Sequence, residues 1–459
     1  SLPDNTIHSI FVDTNSKIWI ATNCGLSLFD PFRETFRNFK DVSGIHYTMQ
    51  GAVYNVYSTS DGRIWVGTVS DLCYFDSKDT DLILSGKKNV NHMFIQDIYW
   101  GISNPTVYCV FEDSFKNIWI GSNGGGASFI SSTSSFFHSW RINKIPGVTN
   151  GLNDKEVLTI CVADNGNVWM GTDGGGINVN IDGRNCMFYS HDTGDISSNA
   201  YHSSLKDSNG DLWFGNMYNE MGIDVFISKE DRFIHYTPQG NGSVIYCLFE
   251  DNQRNVWIGS NNGLEIYNLI TKKKDFLNKE NSQLLTNEIK AVSQDKNGNI
   301  WIGTLNKGIS IYNPESKTMK HINEHTIFEN CVINQIFRDS KNRIWIATTE
   351  GLVLFPNEQS DTYQLFNTQN GLACNLVCSI EEDSEGNIWL STHSGISCFF
   401  EPEKRFLNYD HKDGTLFGTY MNNSVGKAQD GTIYFGSING VCYFNPKDRP
   451  SNIILPPVI

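Results

Sequence analysis

The stretch QDKNGNIWIGT, residues 294–304, contains an acidic residue, a Gly-bearing turn and a Trp between two apolar residues. Related stretches occur ten times in the 459 residues, and their central aromatic residues are Trp19, Trp65, Trp119, Trp169, Trp213, Trp257, Trp301, Trp345, Trp389 and Tyr434. From Trp169 onwards the spacing is 44 or 45 residues, whereas the first three intervals are 46, 54 and 50. Such a period predicts an array of similar structural units.

Each repeat predicts four short strands. A small residue such as Gly303 stands two positions after the aromatic residue in every repeat, and Asp stands six positions before it in seven repeats, as Asp295 does. Frequent turn signals without helical periodicity indicate an all-β structure. Four strands in about 44 residues match one blade of a β-propeller. We expect the nine repeat Trp side chains to lie between adjacent blades, where the small residue makes room for a neighbouring side chain.

The spacing also predicts the domains. Seven regular units in residues 152–449 predict a complete seven-bladed propeller. Residues 1–151 would then be three blades of a truncated N-terminal propeller, because an open fan would leave exposed edges, and residues 450–459 would begin a linker to a following domain. A single ten-bladed ring is the alternative. The abrupt start, without Met or a signal peptide, predicts a segment of a longer protein.

Composition excludes some functions. The net charge of −15 disfavours contact with nucleic acid, although a local basic pocket for an anionic ligand remains possible. No apolar run approaches the roughly 18 residues that a membrane span needs. The eleven Cys include no CxxC pair and are interpreted as small buried side chains, with a disulfide or metal framework as the alternative.

The repeats resemble a known family. DKNGNIWIGTLNKGISIYNP (295–314) and DSEGNIWLSTHSGISCF (383–399) are similar to the regulator-propeller repeat of the periplasmic sensor regions of Bacteroides-type hybrid two-component histidine kinases. The resemblance covers essentially the whole chain. It implies a periplasmic sensor of an inner-membrane protein, with kinase, receiver and DNA-binding modules further along. It also implies an oligosaccharide ligand, control of glycan-utilisation genes and a homodimer whose arrangement changes on binding.

Residue patterns for catalysis are absent. We find no nucleophile triad or metal motif, and we predict no catalytic residue, metal site or cofactor in this segment. The alternatives are a propeller lyase or glycoside hydrolase, and a structural or protein-interaction propeller without a small ligand. Asn residues recur fourteen positions before the aromatic residue, which favours a role in turns; these are Asn5, Asn199, Asn287 and Asn375.

Binding is expected in loops that depart from the repeat. In a blade with its first strand innermost, the loop between strands two and three shares a face with the connection to the next blade. Unusual members of these loops are ligand-binding candidates, because sugars suit aromatic faces flanked by amides and carboxylates. The candidates are Trp100, Asn104, Tyr218, Asn219, Glu220, Lys307, Glu350, His393, Phe417, Tyr420 and Asn422.

Overall fold

The computed structural model of the chain describes residues 1–13, 16–39, 51–85, 90–93, 104–130, 136–142, 151–181, 186–218, 222–239, 243–323, 326–329, 331–357 and 362–449. The chain divides into two compact units, residues 1–135 with 451–459 and residues 136–450. The described residues form 39 strands, one short helix α1 (Thr80–Leu84) and several 3₁₀ turns. The 3₁₀ turns are Ser77–Asp79, His191–Thr193, Ile327–Glu329, Thr368–Asn370, His411–Asp413 and Pro446–Asp448.

The first unit contains three antiparallel sheets. Sheet 1 consists of β1 (Ile7–Val12), β2 (Ile18–Thr22), β3 (Gly25–Asp30) and β4 (Thr35–Asn38). Sheet 2 consists of β5 (Val53–Ser58), β6 (Arg63–Thr68), β7 (Leu72–Asp76) and β8 (Asn91–Met93). Sheet 3 has three strands among the described residues, β9 (Val107–Glu112), β10 (Ile118–Ser122) and β11 (Gly126–Ile130). The first strands β1, β5 and β9 contact one another in succession, which makes this unit a fan of blades.

The second unit begins with β12 (His138–Trp140) and contains seven four-stranded sheets. Sheet 4 consists of β13 (Val157–Val162), β14 (Val168–Thr172), β15 (Ile177–Asn180) and β16 (Cys186–Tyr189). Sheet 5 consists of β17 (Tyr201–Lys206), β18 (Leu212–Asn216), β19 (Ile223–Ile227) and β20 (Arg232–Tyr236). Sheet 6 consists of β21 (Ile245–Glu250), β22 (Asn255–Ser260), β23 (Leu264–Asn268) and β24 (Lys274–Leu277). Sheet 7 consists of β25 (Ile289–Gln294), β26 (Ile300–Thr304), β27 (Ile309–Asn313) and β28 (Thr318–Ile322). Sheet 8 consists of β29 (Ile333–Arg338), β30 (Ile344–Thr348), β31 (Gly351–Phe355) and β32 (Gln364–Phe366). Sheet 9 consists of β33 (Val377–Glu382), β34 (Ile388–Thr392), β35 (Gly395–Phe400) and β36 (Arg405–Tyr409). Sheet 10 combines β37 (Tyr420–Lys427), β38 (Ile433–Ser437) and β39 (Gly440–Phe444) with β12.

The first strands of sheets 4 to 10 form a closed ring. Each contacts the first strand of the next sheet, and β37 of the last sheet returns to β13. The first strand of every blade is therefore innermost, around a central channel. The prediction of an all-β propeller built from ten repeats is confirmed.

The repeat Trp side chains fill the wedge between blades, as predicted. Trp301 lies 5.2 Å from Phe355 of the next sheet, measured between ring centroids, and Trp389 lies 4.5 Å from Phe444. A β-carbon on Gly303 would come within 2.4 Å of Ile333 Cγ2 on the next inner strand. The small residue after each aromatic residue thus lets adjacent blades approach closely.

Trp119 is the exception to this burial. Its side chain is 42 % exposed, whereas Trp19 and Trp65 in the same unit are buried. Trp19 contacts Phe75 of the following sheet, but Trp119 contacts Phe129 of its own sheet. Trp119 lies in the last sheet of the fan, so no following blade of this unit covers its indole. The expectation that all nine Trp side chains are buried between blades is therefore wrong for Trp119.

The repeated Asp does more than form a turn. In the seven repeats that have it, its Oδ2 accepts a hydrogen bond of 2.8–3.2 Å from the indole N–H of the repeat Trp. Thr59 and Ala163 replace Asp in the repeats of Trp65 and Trp169. In those two repeats the buried indole N–H has no hydrogen-bond partner.

The outer strand of the last blade comes from before the first blade of the ring. β12 pairs antiparallel with β39, and the register places Trp140 opposite Val441. The compact second unit accordingly starts at Phe136, whereas the sequence analysis placed the boundary at 151/152. The difference arises because residues 138–140 were assigned to the third repeat, although their hydrogen bonds are to the tenth.

None of the eleven cysteines forms a disulfide. Seven of the eleven are buried, as small apolar residues would be, while Cys24 and Cys109 are exposed. The described part of the chain contains no helix long and apolar enough to cross a membrane.

Candidate functional site

One face of the second unit is built from loops tied to the inner strands. In each sheet a backbone N–H of the loop between the second and third strands donates to the carbonyl of the residue preceding the inner strand. Examples are Leu305 to Glu288 (3.2 Å), Thr349 to Val332 (3.3 Å) and His393 to Leu376 (3.2 Å). These loops and the start of each inner strand therefore share one face, as the sequence analysis expected.

Residues at one equivalent position near the start of each inner strand form a row close to this face. Each inner strand except β37 has a one-residue bulge. In β25, for example, Ile289 pairs with Thr304 and Ala291 pairs with Gly303, so Lys290 is extra. Such a bulge redirects one side chain out of the regular pleat. We call the extra residues the bulge row; in the second unit they are Leu158, His202, Tyr246, Lys290, Asn334 and Cys378, and in the first unit His8, Tyr54 and Tyr108.

Neighbouring members of the bulge row touch. The rings of His202 and Tyr246 are 5.6 Å apart in an edge-to-face arrangement, and Lys290 Nζ lies 3.2 Å from the centroid of the Tyr246 ring. In the first unit Tyr54 lies 5.0 Å from both His8 and Tyr108. Leu158, Asn334 and Cys378 are buried, whereas His202, Tyr246 and Lys290 are partly accessible. The accessible members of the row therefore present aromatic and polar groups to solvent.

The tenth repeat departs from this pattern. Between Tyr420, opposite Ser437, and Val425, opposite Phe435, the inner strand makes a wider bulge. Three residues, Met421 to Asn423, replace the single bulge residue, and Asn423 has a left-handed φ of 55°. Asn423 lines a cavity of about 290 Å³ whose other walls come from β21, β25 and β29. The cavity occupies the channel among the inner strands.

Burial controls the charge of the bulge row. Burial, reinforced by the Lys290 charge, lowers the pKa of His202 to about 4, so its ring is neutral near pH 7. Burial also lowers the pKa of Lys290. His202 Nδ1 is buried without a hydrogen-bond partner, and no carboxylate of the described residues forms an ion pair with Lys290.

Several predicted site residues lie around this row. Tyr218 is 55 % exposed and follows Met217, whose N–H donates to the Ala200 carbonyl just before β17. Three others are exposed on the equivalent loops of sheets 7 to 9, namely Lys307, Glu350 and His393. Partial burial lowers the pKa of His393.

Phe417 and Asn422 are also accessible. Phe417 is 39 % exposed and its ring lies 5.7 Å from that of His411. Asn422 is exposed within the wide bulge of β37.

Two other candidates have structural positions. Tyr420 is 1 % exposed in a hydrophobic cluster, and its hydroxyl accepts the Leu416 N–H at 3.1 Å, so it is a core residue rather than a contact for a ligand. Asn104 Oδ1 accepts the Thr106 N–H at 3.0 Å in a tight turn. Trp100, Asn219 and Glu220 lie outside the described residues.

The Asn residues that recur before the inner strands organise turns, as predicted. The side-chain oxygens of Asn199, Asn287 and Asn375 accept backbone N–H groups of His191, Lys279 and Thr368 at 2.8–2.9 Å. They hold the connections between blades in place.

A buried acid beside a histidine has the composition of a catalytic pair. Asp224 Oδ1 lies 3.2 Å from His235 Nδ1, and its Oδ2 accepts the Tyr201 hydroxyl at 2.6 Å. The same position of the third strand carries Ser310 in sheet 7, which contacts His321 of the fourth strand in the same way. The pair is therefore a repeated device that joins the third and fourth strands. Among the described residues no group of three or more His, Cys, Asp or Glu could hold a metal ion.

The bulge row was missed in the sequence, although a signal exists there. The position eleven before the aromatic residue varies among His, Tyr, Leu, Lys, Asn and Cys, and it stands directly after a position that is buried in most repeats. Variation at one fixed place in an otherwise regular repeat indicates a position that does not serve the fold alone.

The fold and this face define a β-propeller that presents a variable surface on a repeated scaffold. Eight segments of the chain match the two-component regulator propeller model, at residues 1–24, 49–70, 101–124, 151–174, 239–262, 283–306, 327–350 and 371–394. The chain therefore contains two-component regulator propeller repeats.

Known relatives agree with this assignment. The extracellular domain of the hybrid two-component system BT3049 from B. thetaiotaomicron is 35 % identical, with a TM-score of 0.78 over 97 % of this chain and 57 % of that one. Histidine kinase P4 of Formosa agariphila is 26 % identical over 134 residues, which are 27 % of this chain and 8 % of that protein. The chain thus spans little more than half of the first relative and a small part of the second.

A distant neighbour shares only the fold. Virginiamycin B lyase from Staphylococcus aureus is 15 % identical, with a TM-score of 0.52 over 67 % of this chain and 98 % of that one.

Proposed function

We propose that this chain is the ligand-sensing part of a periplasmic hybrid two-component sensor and that it binds an oligosaccharide at the bulge row of the second unit. The observation that carries the proposal is the contact of His202, Tyr246 and Lys290 with one another near the start of their inner strands. The chain is also similar to the extracellular domain of a hybrid two-component system. An aromatic face flanked by polar groups is the surface that binds sugars.

Signalling would follow from differential binding. A ligand shifts a conformational equilibrium only if it binds one arrangement more tightly than the other. In this proposal the oligosaccharide stabilises one arrangement of a homodimer and so changes the activity of a kinase module elsewhere in the full-length protein, which controls glycan-utilisation genes.

Calorimetric titration of the folded chain with a panel of neutral and acidic oligosaccharides tests the binding. We expect at least one member to bind, and Tyr246→Ala to weaken its affinity by about tenfold because the stacking face is lost. Phe188→Ala, an exposed aromatic residue on the outer strand β16 of sheet 4, is the control and should leave the affinity unchanged. A folded protein that binds no member of the panel would contradict the proposal.

Chromatography of the bound oligosaccharide after long incubation separates a sensor from an enzyme. We expect the ligand to be recovered intact. Cleavage products that accumulate in proportion to protein concentration would favour a lyase or hydrolase instead.

A further inference from the structure

Lys290 is a half-buried cation that forms no ion pair with a carboxylate in the part of the chain that the structure describes. Its Nζ lies 3.2 Å from the centroid of the Tyr246 ring, and burial lowers the pKa of its ammonium group. Glu288 is close enough to favour the charged form of Lys290 but makes no ion pair with it. Two other partly buried cations of the second unit have carboxylate partners. Arg254 contacts Glu250, and Arg343 contacts both Asp339 and Glu401.

A second polar atom lies at the same place. His202 precedes Tyr246 in the bulge row, as Lys290 follows it. The buried His202 Nδ1 has no hydrogen-bond partner of good geometry among the described residues, although the backbone at His202 and Tyr246 lies close enough to favour the charged ring. A buried polar group normally has a partner, since its desolvation is otherwise uncompensated. The two groups beside Tyr246 therefore mark a place where an external polar group would be stabilised.

We propose that Lys290 and Tyr246 form a subsite for the anionic group of an acidic sugar, a carboxylate or a sulfate ester. The anion pairs with Lys290 Nζ, which lies over the Tyr246 ring, and the sugar ring contacts the accessible edge of the Tyr246 side chain. A desolvated ammonium gains most from a charge-assisted hydrogen bond, which gives the subsite its selectivity for an acid over a neutral sugar. This inference rests on the proposed function and specifies its ligand class.

The charge of the molecule limits the ligand to few anionic groups. Lys290 is the one cation of the bulge row in the second unit, and the chain as a whole carries −15. A polyanion would gain one ion pair here while being repelled by the rest of the surface. A sugar with a single carboxylate or sulfate gains the pair at little electrostatic cost.

The test compares matched sugars on the full chain. Cellobiose and galactobiose are titrated against cellobiouronic and digalacturonic acid, and galactose 6-sulfate represents a sulfate without a carboxylate. We expect an acidic member to bind about tenfold more tightly than its neutral counterpart, and this preference to shrink when NaCl is raised from about 50 to 300 mM. Whether the carboxylate or the sulfate arm binds identifies the source of the anion.

Three variants locate the effect. Lys290→Met should remove the preference for the acidic sugar and its salt dependence, while Lys290→Arg should keep both. Lys273→Met, at an exposed turn before β24, should behave as the wild type, and thermal unfolding verifies that each variant is folded. A preference that survives Lys290→Met, or neutral members that bind as tightly as acidic ones, would overturn the subsite and leave the proposed function standing. If no member binds, both are overturned.

Discussion

At the scale of the residue, a hydrogen bond between Asp and Trp explains why these two residues recur six positions apart in the repeat. Asp295 accepts the indole N–H of Trp301 and the backbone N–H groups of Asn297 and Asn299, so one carboxylate closes the turn and satisfies the wedge Trp. The fourth repeat keeps the same turn, in which Ala163 N–H donates to Asn167 O at 2.9 Å, but Ala163 cannot accept the indole N–H of Trp169.

Ala163→Asp should therefore stabilise the second unit. The new carboxylate would accept the orphaned Trp169 indole N–H, and we expect a gain of about 0.5–1.5 kcal/mol in the free energy of unfolding. Denaturant unfolding monitored by Trp fluorescence measures it. The reciprocal change, Asp295→Ala, should cost about 1–3 kcal/mol because it leaves the Trp301 donor buried without a partner. Equal stability of Ala163→Asp and wild type would show that the indole N–H needs no acceptor there.

His202 should make the fold sensitive to mild acid. Its pKa is about 4 in the folded protein, below the ordinary value of 6.5, so between these values the unfolded chain takes up a proton that the folded chain does not. Stability is thus lost as pH falls from about 6.5 to 4, by about 3 kcal/mol for this group.

Unfolding curves of wild type and His202→Gln at pH 7 and pH 4 check this. The variant should lose less stability over the interval, because Gln does not titrate. His411→Gln, at a partly exposed 3₁₀ turn, is the control and should follow the wild type. Parallel pH profiles for wild type and His202→Gln would contradict the assignment.

At the scale of the element, β12 closes the ring of the second unit. The preceding Phe136 and Phe137 are both buried, and their rings contact Tyr409 and Phe444 of the last two blades. The strand therefore contributes both backbone pairing and apolar contacts to the blade at which the ring would otherwise open.

A chain starting at residue 152 should be less stable than one starting at residue 136. Burial of Phe136 and Phe137 alone corresponds to about 3–6 kcal/mol at 1.5–3 kcal/mol for each side chain. Thermal unfolding of the two chains, 136–449 and 152–449, measures the difference. Identical transitions would mean that the pairing of β12 with β39 does not stabilise the ring.

The repeat made most of this architecture predictable, because most blades use the same turn, the same Trp between blades and the same small residue that lets the next blade approach. β12 escaped prediction since it has three residues, no repeat signature and a partner at the far end of the sequence. Tyr420 was misassigned for a related reason. The bulge of β37 contains two residues more than the bulges of the other inner strands. Tyr420 therefore lies fourteen positions before Tyr434, although it occupies the core position that lies twelve positions before the aromatic residue in the regular repeats.

The site was harder to predict than the fold. Loops that depart from the repeat were identified correctly as sharing one face, and Tyr218 and Asn422 are exposed there. The sequence analysis overlooked His202, Tyr246 and Lys290 because no particular residue type indicates a bulge. The bulge directs these side chains out of the regular pleat of the strand.

At the scale of the whole molecule, the two units present different versions of the same row. The first unit offers His8, Tyr54 and Tyr108, without a cation, whereas the second unit adds Lys290. A ligand of the proposed class should therefore select the second unit.

Hydrogen–deuterium exchange with and without a binding oligosaccharide tests this selection. We expect slower exchange in β17, β21 and β25, because a ligand bound to the native state lowers the population of open states. Exchange in β1, β5 and β9 should not change. Protection confined to the first unit would place the site in the other row.

The pairing of β12 with β39 also fixes when the ring can form during synthesis. The two strands are roughly 300 residues apart in sequence, and closing so long a loop is slow and entropically costly. Until the ribosome has released Phe444, β12 has no partner and the nascent propeller keeps an open edge. Ribosome-stalled chains of graded length should therefore become protease-resistant in one late step, at the length that first exposes β39, rather than blade by blade.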